Sequence, residues 1–499
     1  MDFWQNIILG FSVISEPSNI FLCFVGVLLG TLVGVLPGLG PVATIALLLP
    51  LTYNLPAVAS IIMLSGIYYG SRYGGSTTAI LMNIPGEADA VITCLDGYVM
   101  ARQGRAGPAL GIAAFGSFIA GTIGVVGLML MAPLLAEFSL RFGPPEIFGL
   151  MCLALMLLIN LTSGSAIKAM MMISLGMFLG TIGMDTFTAE KKFTFGIVTL
   201  YDGIGLVPVI MGVFGIGEVL ANVEQGIKRE IYDAVHSSIL PTLRDWKESI
   251  GPILRGTLIG FFVGLLPGGG PVLSTFASYT AEKRVSKNPD KFGKGAIEGV
   301  AGPESANNAT ASSNFIPLMT LGIPCNSVMA ILLAALLISG LKPGPLLITD
   351  NPSLFWGVIA SMYIGNVMLL LLNLPLIGLW VQILRIPYFI LFPLILFLCI
   401  IGSYSLNNNI VEVNMMIIFG VMGYLLKKLG YELAPLVMAF VLCPLIEGSL
   451  IRSLKMAQGS FSIFYSRPIC LMLILIAIFL LFASLFRKRP LSFEGMEDD

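Results

Sequence analysis

The chain reads as a succession of long apolar windows separated by short polar joints. The windows run near Asn19–Leu36, Ala57–Met82, Pro108–Leu135, Pro145–Asn160, Ala166–Met184, Ile204–Leu220, Gly251–Leu266, Ser313–Ile338, Leu354–Val381, Ile386–Ser403, Ile410–Leu426, Ala434–Ile446 and Ile469–Phe486. A bilayer crossing takes about 20 apolar residues, so these windows predict an all-α integral membrane protein with about ten to twelve transmembrane helices, some windows being short of a full span.

Inside this pattern the helix breakers are not scattered. GVLPGLGPV (Gly34–Val42) returns as GLLPGGGPV (Gly264–Val272) 230 residues later, and the same offset carries Gly26 onto Gly256 and Gly30 onto Gly260. NIPGEA (Asn83–Ala88) faces GIPCNS (Gly322–Ser327) at an offset of 239, and RAGPAL (Arg105–Leu110) faces KPGPLL (Lys342–Leu347) at 237. The drift is supplied by a loop insertion, the charged run EKRVSKNPDKFGKG (Glu282–Gly295). Three boxes in one order predict two internal repeats, and matched helix breaks in such repeats point to the binding site of a secondary transporter.

Loop charge sets their relative orientation. LPLTYNLPAVAS (Leu49–Ser60) after the first box is uncharged, whereas the second box is followed by the lysine-rich run. In the next loops the bias is reversed: Tyr98–Gly107 carries two Arg, and Ile338–Asp350 one Lys and one Asp. By the positive-inside rule the repeats are inverted. The expected organisation is an interfacial segment 1–17, a first membrane repeat 18–221, a charged cytoplasmic linker 222–249, a second repeat 250–468, a transmembrane helix 469–486 and a cytoplasmic tail 487–499, the last placed inside by Arg487–Arg489.

Composition sharpens this picture. Hydrophobic residues make up 56% of the chain and charged ones 11%, against about 25% charge in soluble domains. The N-terminal MDFWQNIILGFSV carries Asp2 where a signal peptide would be basic, so this segment is expected to remain as an anchor. With a net charge of −1 and no basic stripe, nucleic acid is excluded as a partner. Seven cysteines without a CxxC pair read as small buried hydrophobes. The single histidine, His236, lies in a charged stretch, which leaves too few parts for a zinc site or a Ser/His/Asp triad.

The candidate chemistry therefore lies at the breaks. Irregular backbone at membrane depth is tolerated only inside protein or beside a water-filled cavity. Pro37 and Pro267 end helices, while Gly38, Gly40, Gly268 and Gly270 permit close backbone approach, as at the tip of a re-entrant hairpin. Broken-helix tips offer N–H groups to an anion and carbonyls to a cation, which suits a carboxylate carried with Na⁺ or H⁺. A dinucleotide reading of Gly38-Leu39-Gly40 fails on context. Gly26, Gly30 and Gly34 also form a GxxxG packing stripe.

The second boxes are polar beyond what packing needs. Tyr68–Ala90 holds Arg72, Ser76, Thr77, Thr78, Asn83, Glu87 and Asp89, and Ala301–Ser327 holds Glu304, Asn307, Asn308, Thr310, Ser312, Ser313, Asn314 and Asn326. Hydroxyl and amide groups can bind a carboxylate or ligate Na⁺ without a buried net charge, and they can equally serve as interhelical hydrogen bonds. The ionisable contributors are Arg72, Glu87, Asp89 and Glu304. For the three acids an interfacial position is the alternative, and Arg72 reads either as a counter-charge for substrate or as a helix end. The rival functions are an uncoupled carboxylate channel and an intramembrane enzyme, the latter on GIGE (Gly215–Glu218) alone.

At these motifs the sequence resembles the large membrane subunit of the tripartite tricarboxylate transporters, the TctA family. The resemblance is carried by GVLPGLGPVATIALLLPLTY, YGGSTTAILMNIPGEADAVITCLDGYVMARQGRAGPAL, FTFGIVTLYDGIGLVPVIMGVFGIGEVL, GLLPGGGPVLSTFASYTAEKR, FGKGAIEGVAGPESANNA, IPLMTLGIPCNS and EGSLIRSLKMAQGSFSIFYSRPI. It implies a permease of the bacterial inner membrane that works with a small four-helix membrane subunit and a periplasmic binding protein for a carboxylate. An ion gradient drives such uptake, in keeping with the lack of a GxxxxGK[ST] phosphate loop. No cofactor beyond a coupling Na⁺ or H⁺ is expected, and no catalysis.

Overall fold

A computed structural model describes residues 3–36, 40–53, 55–161, 165–185, 190–225, 239–268, 270–384 and 388–486. Pro37, Gly38, Leu39, His236, Gly269 and the tail 487–499 lie outside the described residues. The helices in chain order are α1 (Phe3–Ile14), α2 (Pro17–Val35), α3 (Pro41–Thr52), α4 (Ala57–Met82), α5 (Val91–Thr93), α6 (Ala106–Ser139), α7 (Pro144–Leu161), α8 (Ala166–Gly180), α9 (Leu206–Ile210), α10 (Gly217–Gln225), α11 (Leu243–Gly264) and α12 (Pro271–Val285). They continue with α13 (Glu298–Ser313), α14 (Phe315–Leu321), α15 (Ser327–Ile338), α16 (Leu347–Asp350), α17 (Pro352–Asn373), α18 (Ile377–Leu384), α19 (Tyr388–Asn407), α20 (Ile410–Lys428), α21 (Ala434–Met456), α22 (Ser462–Ser466) and α23 (Pro468–Phe486). The only described strands are Gly183–Met184 and Lys191–Lys192, paired antiparallel.

Among the described residues, five helical stretches are long and apolar enough to cross a membrane: Pro17–Val35, Ala101–Ser139, Pro352–Asn373, Ile410–Lys428 and Ala434–Met456. Of the shorter apolar helices, Ser327–Ile338 falls in a predicted window, whereas Pro41–Thr52 lies between the first two windows, where none was predicted. One prediction differs in extent. The apolar window opened at Ser313, but the helical run starts at Glu298, with α13 made mostly of Gly, Ala, Ser, Asn and Thr and carrying Glu298 and Glu304. Every residue of α13 from Gly299 to Ser313 is buried, as is every residue of α4 from Ala59 to Met82. Hydropathy marks apolar helices, and α13, enclosed by protein all round, needs no apolar surface to be buried.

The chain forms two compact units. One comprises the chain up to Ser139 together with Val207–Tyr424, and the other Leu140–Leu206 with the described part from Leu425 onward. In the second unit α21 packs on α7 and α8, and α23 on α7. A Cβ on Gly176 would lie 2.1 Å from the Leu436 carbonyl oxygen, which shows how closely α8 approaches α21.

The first unit is built on two helix pairs made alike. α2 crosses α4 on Gly26, Gly30 and Gly34, where an added Cβ would lie 2.2, 2.5 and 2.2 Å from the carbonyl oxygens of Met63, Ile67 and Ser71. α11 crosses α13 on Gly256 and Gly260, with the Gly302 and Ala306 carbonyls at 2.2 and 2.1 Å. Where lipid competes equally for apolar surface, such close backbone packing is what holds helices together.

Each pair ends on its Pro/Gly box. α2 stops at Val35 and α3 starts at Pro41, whereas α11 stops at Gly264 and α12 starts at Pro271; in both cases proline sits in the first helical turn, where its missing N–H has no consequence. The Thr78 hydroxyl lies 3.1 Å from the Val35 carbonyl, satisfying an end group of α2. α11 itself begins with a capping box, Thr242 and Asp245 bonding each other's backbone.

The lysine-rich insertion is anchored by a buried residue. One oxygen of Asp96 accepts the N–H groups of Gly293, Gly295 and Ala296 at 2.8–2.9 Å, and the other accepts the Tyr279 hydroxyl at 2.9 Å.

Candidate functional site

Both second boxes break a helix with one backbone geometry. α4 ends in Asn83 at φ 55°, ψ 24°, and α14 ends in Gly322 at φ 69°, ψ 26°, each followed by Ile-Pro. Left-handed geometry comes easily to Gly and Asn and ends a helix with its carbonyls capped. Asn83 is exposed at this turn.

The Pro/Gly boxes lie against the breaks of their own halves. In the second half, the Gly268 N–H, at φ 79°, donates to the Cys325 carbonyl at 2.9 Å, and a Cβ on Gly270 would lie 3.7 Å from that of Asn326. In the first half, a Cβ on Gly86 would lie 2.3 Å from the Gly34 carbonyl oxygen and 2.6 Å from the Gly75 Cα, so three glycines make this crossing possible. Gly40 caps α3 beside open space, and Pro267 is half-buried.

The two halves meet along facing stripes of α4 and α13. Tyr68 Oη accepts Nδ2 of Asn314 at 2.8 Å and Nδ2 of Asn326 at 3.2 Å. The Ser76 hydroxyl lies 2.5 Å from Oε2 of Glu304, whose other oxygen accepts the Thr93 hydroxyl. Because Tyr68 meets Asn314 and Ser76 meets Glu304, the helices run past each other in opposite directions. Arg72 lies between these ties, its guanidinium 4.8 Å over the Tyr68 ring and ion-paired with both Glu87 and Asp89. All three charged groups are buried inside the protein, and Arg72 is engaged by the protein's own carboxylates.

Asn308 donates to the Ser117 hydroxyl at 2.7 Å, while Asn326 caps α15 by accepting the Met329 N–H at 2.9 Å. Ser313 bonds only its own helix, at the Thr310 carbonyl, and stands over Gly264. Thr77 likewise bonds the Tyr73 carbonyl at 3.4 Å. Asn307 is 1% exposed and its Oδ1 has no partner.

Two clefts of about 290 Å³ each, open mouths included, flank this seam. Tyr73, Ser76, Thr77 and Ser117 line the first, and Tyr69, Asn308, Ser312 and Asn366 the second. Tyr68, Tyr73, Thr93, Ser117 and Asn366 were not among the predicted ligands. Asn366 carried a readable signal, being an amide within the apolar window Leu354–Val381. It accepts the Tyr73 hydroxyl at 2.8 Å and donates to Thr122 at 2.9 Å. GIGE lies on the helical turns from Met211 into α10, where the Glu218 side chain is outside the description.

A multi-pass helical protein whose interrupted helices converge on a buried polar seam has the architecture of a membrane transporter. Residues 20–438 match the family described as Tripartite tricarboxylate transporter TctA. The chain belongs to this family. It is 52% identical over 478 residues to an uncharacterized 52.8 kDa protein of the TAR-I ttuC' 3' region of Agrobacterium vitis, covering 96% of this chain and 95% of that one. A second A. vitis protein, uncharacterized and from the TAR-II ttuC' 3' region, matches at 52% over 244 residues, 48% of this chain and all of its own length. No solved structure matches significantly.

Proposed function

We propose that the chain is the permease subunit of a binding-protein-dependent secondary transporter that takes up di- or tricarboxylates on a Na⁺ or H⁺ gradient. The observation that supports this most is the convergence of both broken helices on one hydrogen-bonded seam, Tyr68 with Asn314 and Asn326, and Ser76 with Glu304. In hydrocarbon such a concentration of polar groups is retained for a ligand or a moving ion.

In this reading the two halves are inverted repeats and the boxes at Pro37–Pro41 and Pro267–Pro271 are tips of re-entrant hairpins. With the shorter apolar helices included, the chain makes ten to twelve crossings of the bacterial inner membrane and ends in the cytoplasm. Ser76, Thr77, Thr78, Asn83, Asn307, Asn308, Ser313 and Asn326 supply side-chain ligands, and the tips supply backbone N–H and carbonyl groups. With Arg72 paired internally, the substrate carboxylates are met by dipoles instead of a free cation. A small four-helix membrane subunit and a periplasmic binding protein complete the system, and the binding protein selects the carboxylate.

The test is uptake of radiolabelled citrate, and of a panel of dicarboxylates, into proteoliposomes holding all three components. Accumulation above equilibrium under an imposed Na⁺ or pH gradient is expected, and equilibration without accumulation would make the protein a facilitator. A variant with Asn307→Ala and Asn308→Ala should lose uptake. If it transports normally, both residues leave the site.

A further inference from the structure

The buried seam holds more negative than positive groups. Arg72 faces Glu87 and Asp89, and Glu304 is 1% exposed with only the hydroxyls of Ser76 and Thr93 on its oxygens. No cationic side chain among the described residues is ion-paired with Glu304. Two carboxylates therefore share one guanidinium and the third has none, and an uncompensated carboxylate in the interior is among the costliest groups a protein can bury.

Two further features are shaped for a positive charge. Asn307 sits three residues beyond Glu304 and Asn314 ten beyond it, which helical spacing places on one side of the α13 run, where Glu304 and Asn314 meet α4. Both amide oxygens, Oδ1 of Asn307 and Oδ1 of Asn314, are buried and unpartnered. A carbonyl-type oxygen can ligate a cation, and that of Asn307 stands about one helical turn from the unpaired carboxylate.

The Ser76 hydroxyl adds reversibility. Its oxygen lies 2.9 Å from the Arg72 carbonyl and 2.5 Å from Glu304, but it has a single proton. Given to Glu304, that proton stabilises the carboxylate. Given to the Arg72 carbonyl, it leaves the serine oxygen free to accept from a protonated carboxyl. The hydrogen-bond frame thus accommodates Glu304 charged or neutral without moving a helix.

We propose that Glu304, with Ser76, Thr93 and Asn307, forms the site of a monovalent coupling cation, a proton or Na⁺, which must be occupied before substrate is carried. The proposal rests on the transporter reading above and assigns the coupling step to one carboxylate. Its chemistry is cation capture: a proton forms an O–H bond on a Glu304 oxygen, or Na⁺ is ligated by that oxygen together with the hydroxyl and amide oxygens. The Arg72 cluster stays internally paired throughout.

The experiment uses the three-component proteoliposomes with citrate as probe, under a Na⁺ gradient at equal pH and a pH gradient without Na⁺. The wild type should accumulate citrate under one of these gradients, which names the cation. Glu304→Gln should abolish accumulation above equilibrium and make exchange between equal concentrations of citrate indifferent to that cation. Ser76→Ala and Thr93→Val should each raise the cation concentration for half-maximal uptake about tenfold, as expected for loss of a hydrogen bond to a charged group. Uphill accumulation by Glu304→Gln with the wild-type cation dependence would overturn the proposal. So would an unchanged half-saturation in both hydroxyl variants, should Glu304→Gln fail to fold. A wild type that equilibrates citrate under either gradient without accumulating it would instead remove the coupled-transporter reading itself.

Discussion

At the first break the chain leaves α4 through Asn83, and at the second it leaves α14 through Gly322, with nearly the same left-handed backbone and the same Ile-Pro after it. The chemistry placed on that backbone is opposite in kind. Glu87, the repeat counterpart of Asn326, sits at the start of a short helical turn and makes no side-chain cap, its carboxylate being diverted to Arg72. Asn326 caps α15 and gives its amide protons to Tyr68. The charged break is satisfied from within its own half, by Arg72 of the same stretch, whereas the neutral one caps its own helix and also reaches across to Tyr68 of the other half. Repeats that share a backbone can thus divide labour, with fixed charge on one side and neutral hydrogen-bonding groups on the other.

The contrast can be broken most severely at Arg72. Arg72→Ala leaves Glu87 and Asp89 buried without their cation and should lower stability by about 3–5 kcal/mol, read as thermal unfolding in detergent, with loss of uptake. Wild-type stability would mean that the first break does not depend on its ion pairs. The glycine crossings come next and should show the halves to be equal. Gly26→Ala and Gly256→Ala each bring a Cβ to 2.2 Å from a facing carbonyl, and each should cost about 1–3 kcal/mol. A large effect in one half alone would show that only one crossing is tight.

Tyr68→Phe removes the acceptor shared by Asn314 and Asn326, and a loss of about 1–3 kcal/mol is expected, with the uptake affinity changed in parallel. Asn326→Ala should be the mildest, about 1 kcal/mol for a lost cap. If it equals Arg72→Ala in severity, the neutral break weighs as much as the charged one.

Much of this was legible in the residues. The offset of 230 that joined the Pro/Gly boxes also joined Gly26 to Gly256 and Gly30 to Gly260, and these glycines make the same helix crossings. The polar stretches Tyr68–Ala90 and Ala301–Ser327 were both marked, and they do meet. Their pairing was not legible. Nothing in the spacing says that Ser76 faces Glu304 across 228 positions, because that contact depends on two helices running past one another. Arg72 had two open readings in sequence, and neither named the encirclement by Glu87, Asp89 and the Tyr68 ring that the fold supplies.

By itself the sequence determined the membrane class, the duplicated helix breaks and the close-packing glycines, since each follows from local rules: apolar length, proline without an N–H, glycine without a Cβ. The tertiary structure alone decided that α13, too polar to register as a membrane helix, is buried from Gly299 to Ser313, and that Glu304 lies within reach of two hydroxyls with no ion-paired cation among the described residues. Burial and charge compensation belong to neighbours brought in from distant parts of the chain, so no local pattern can encode them.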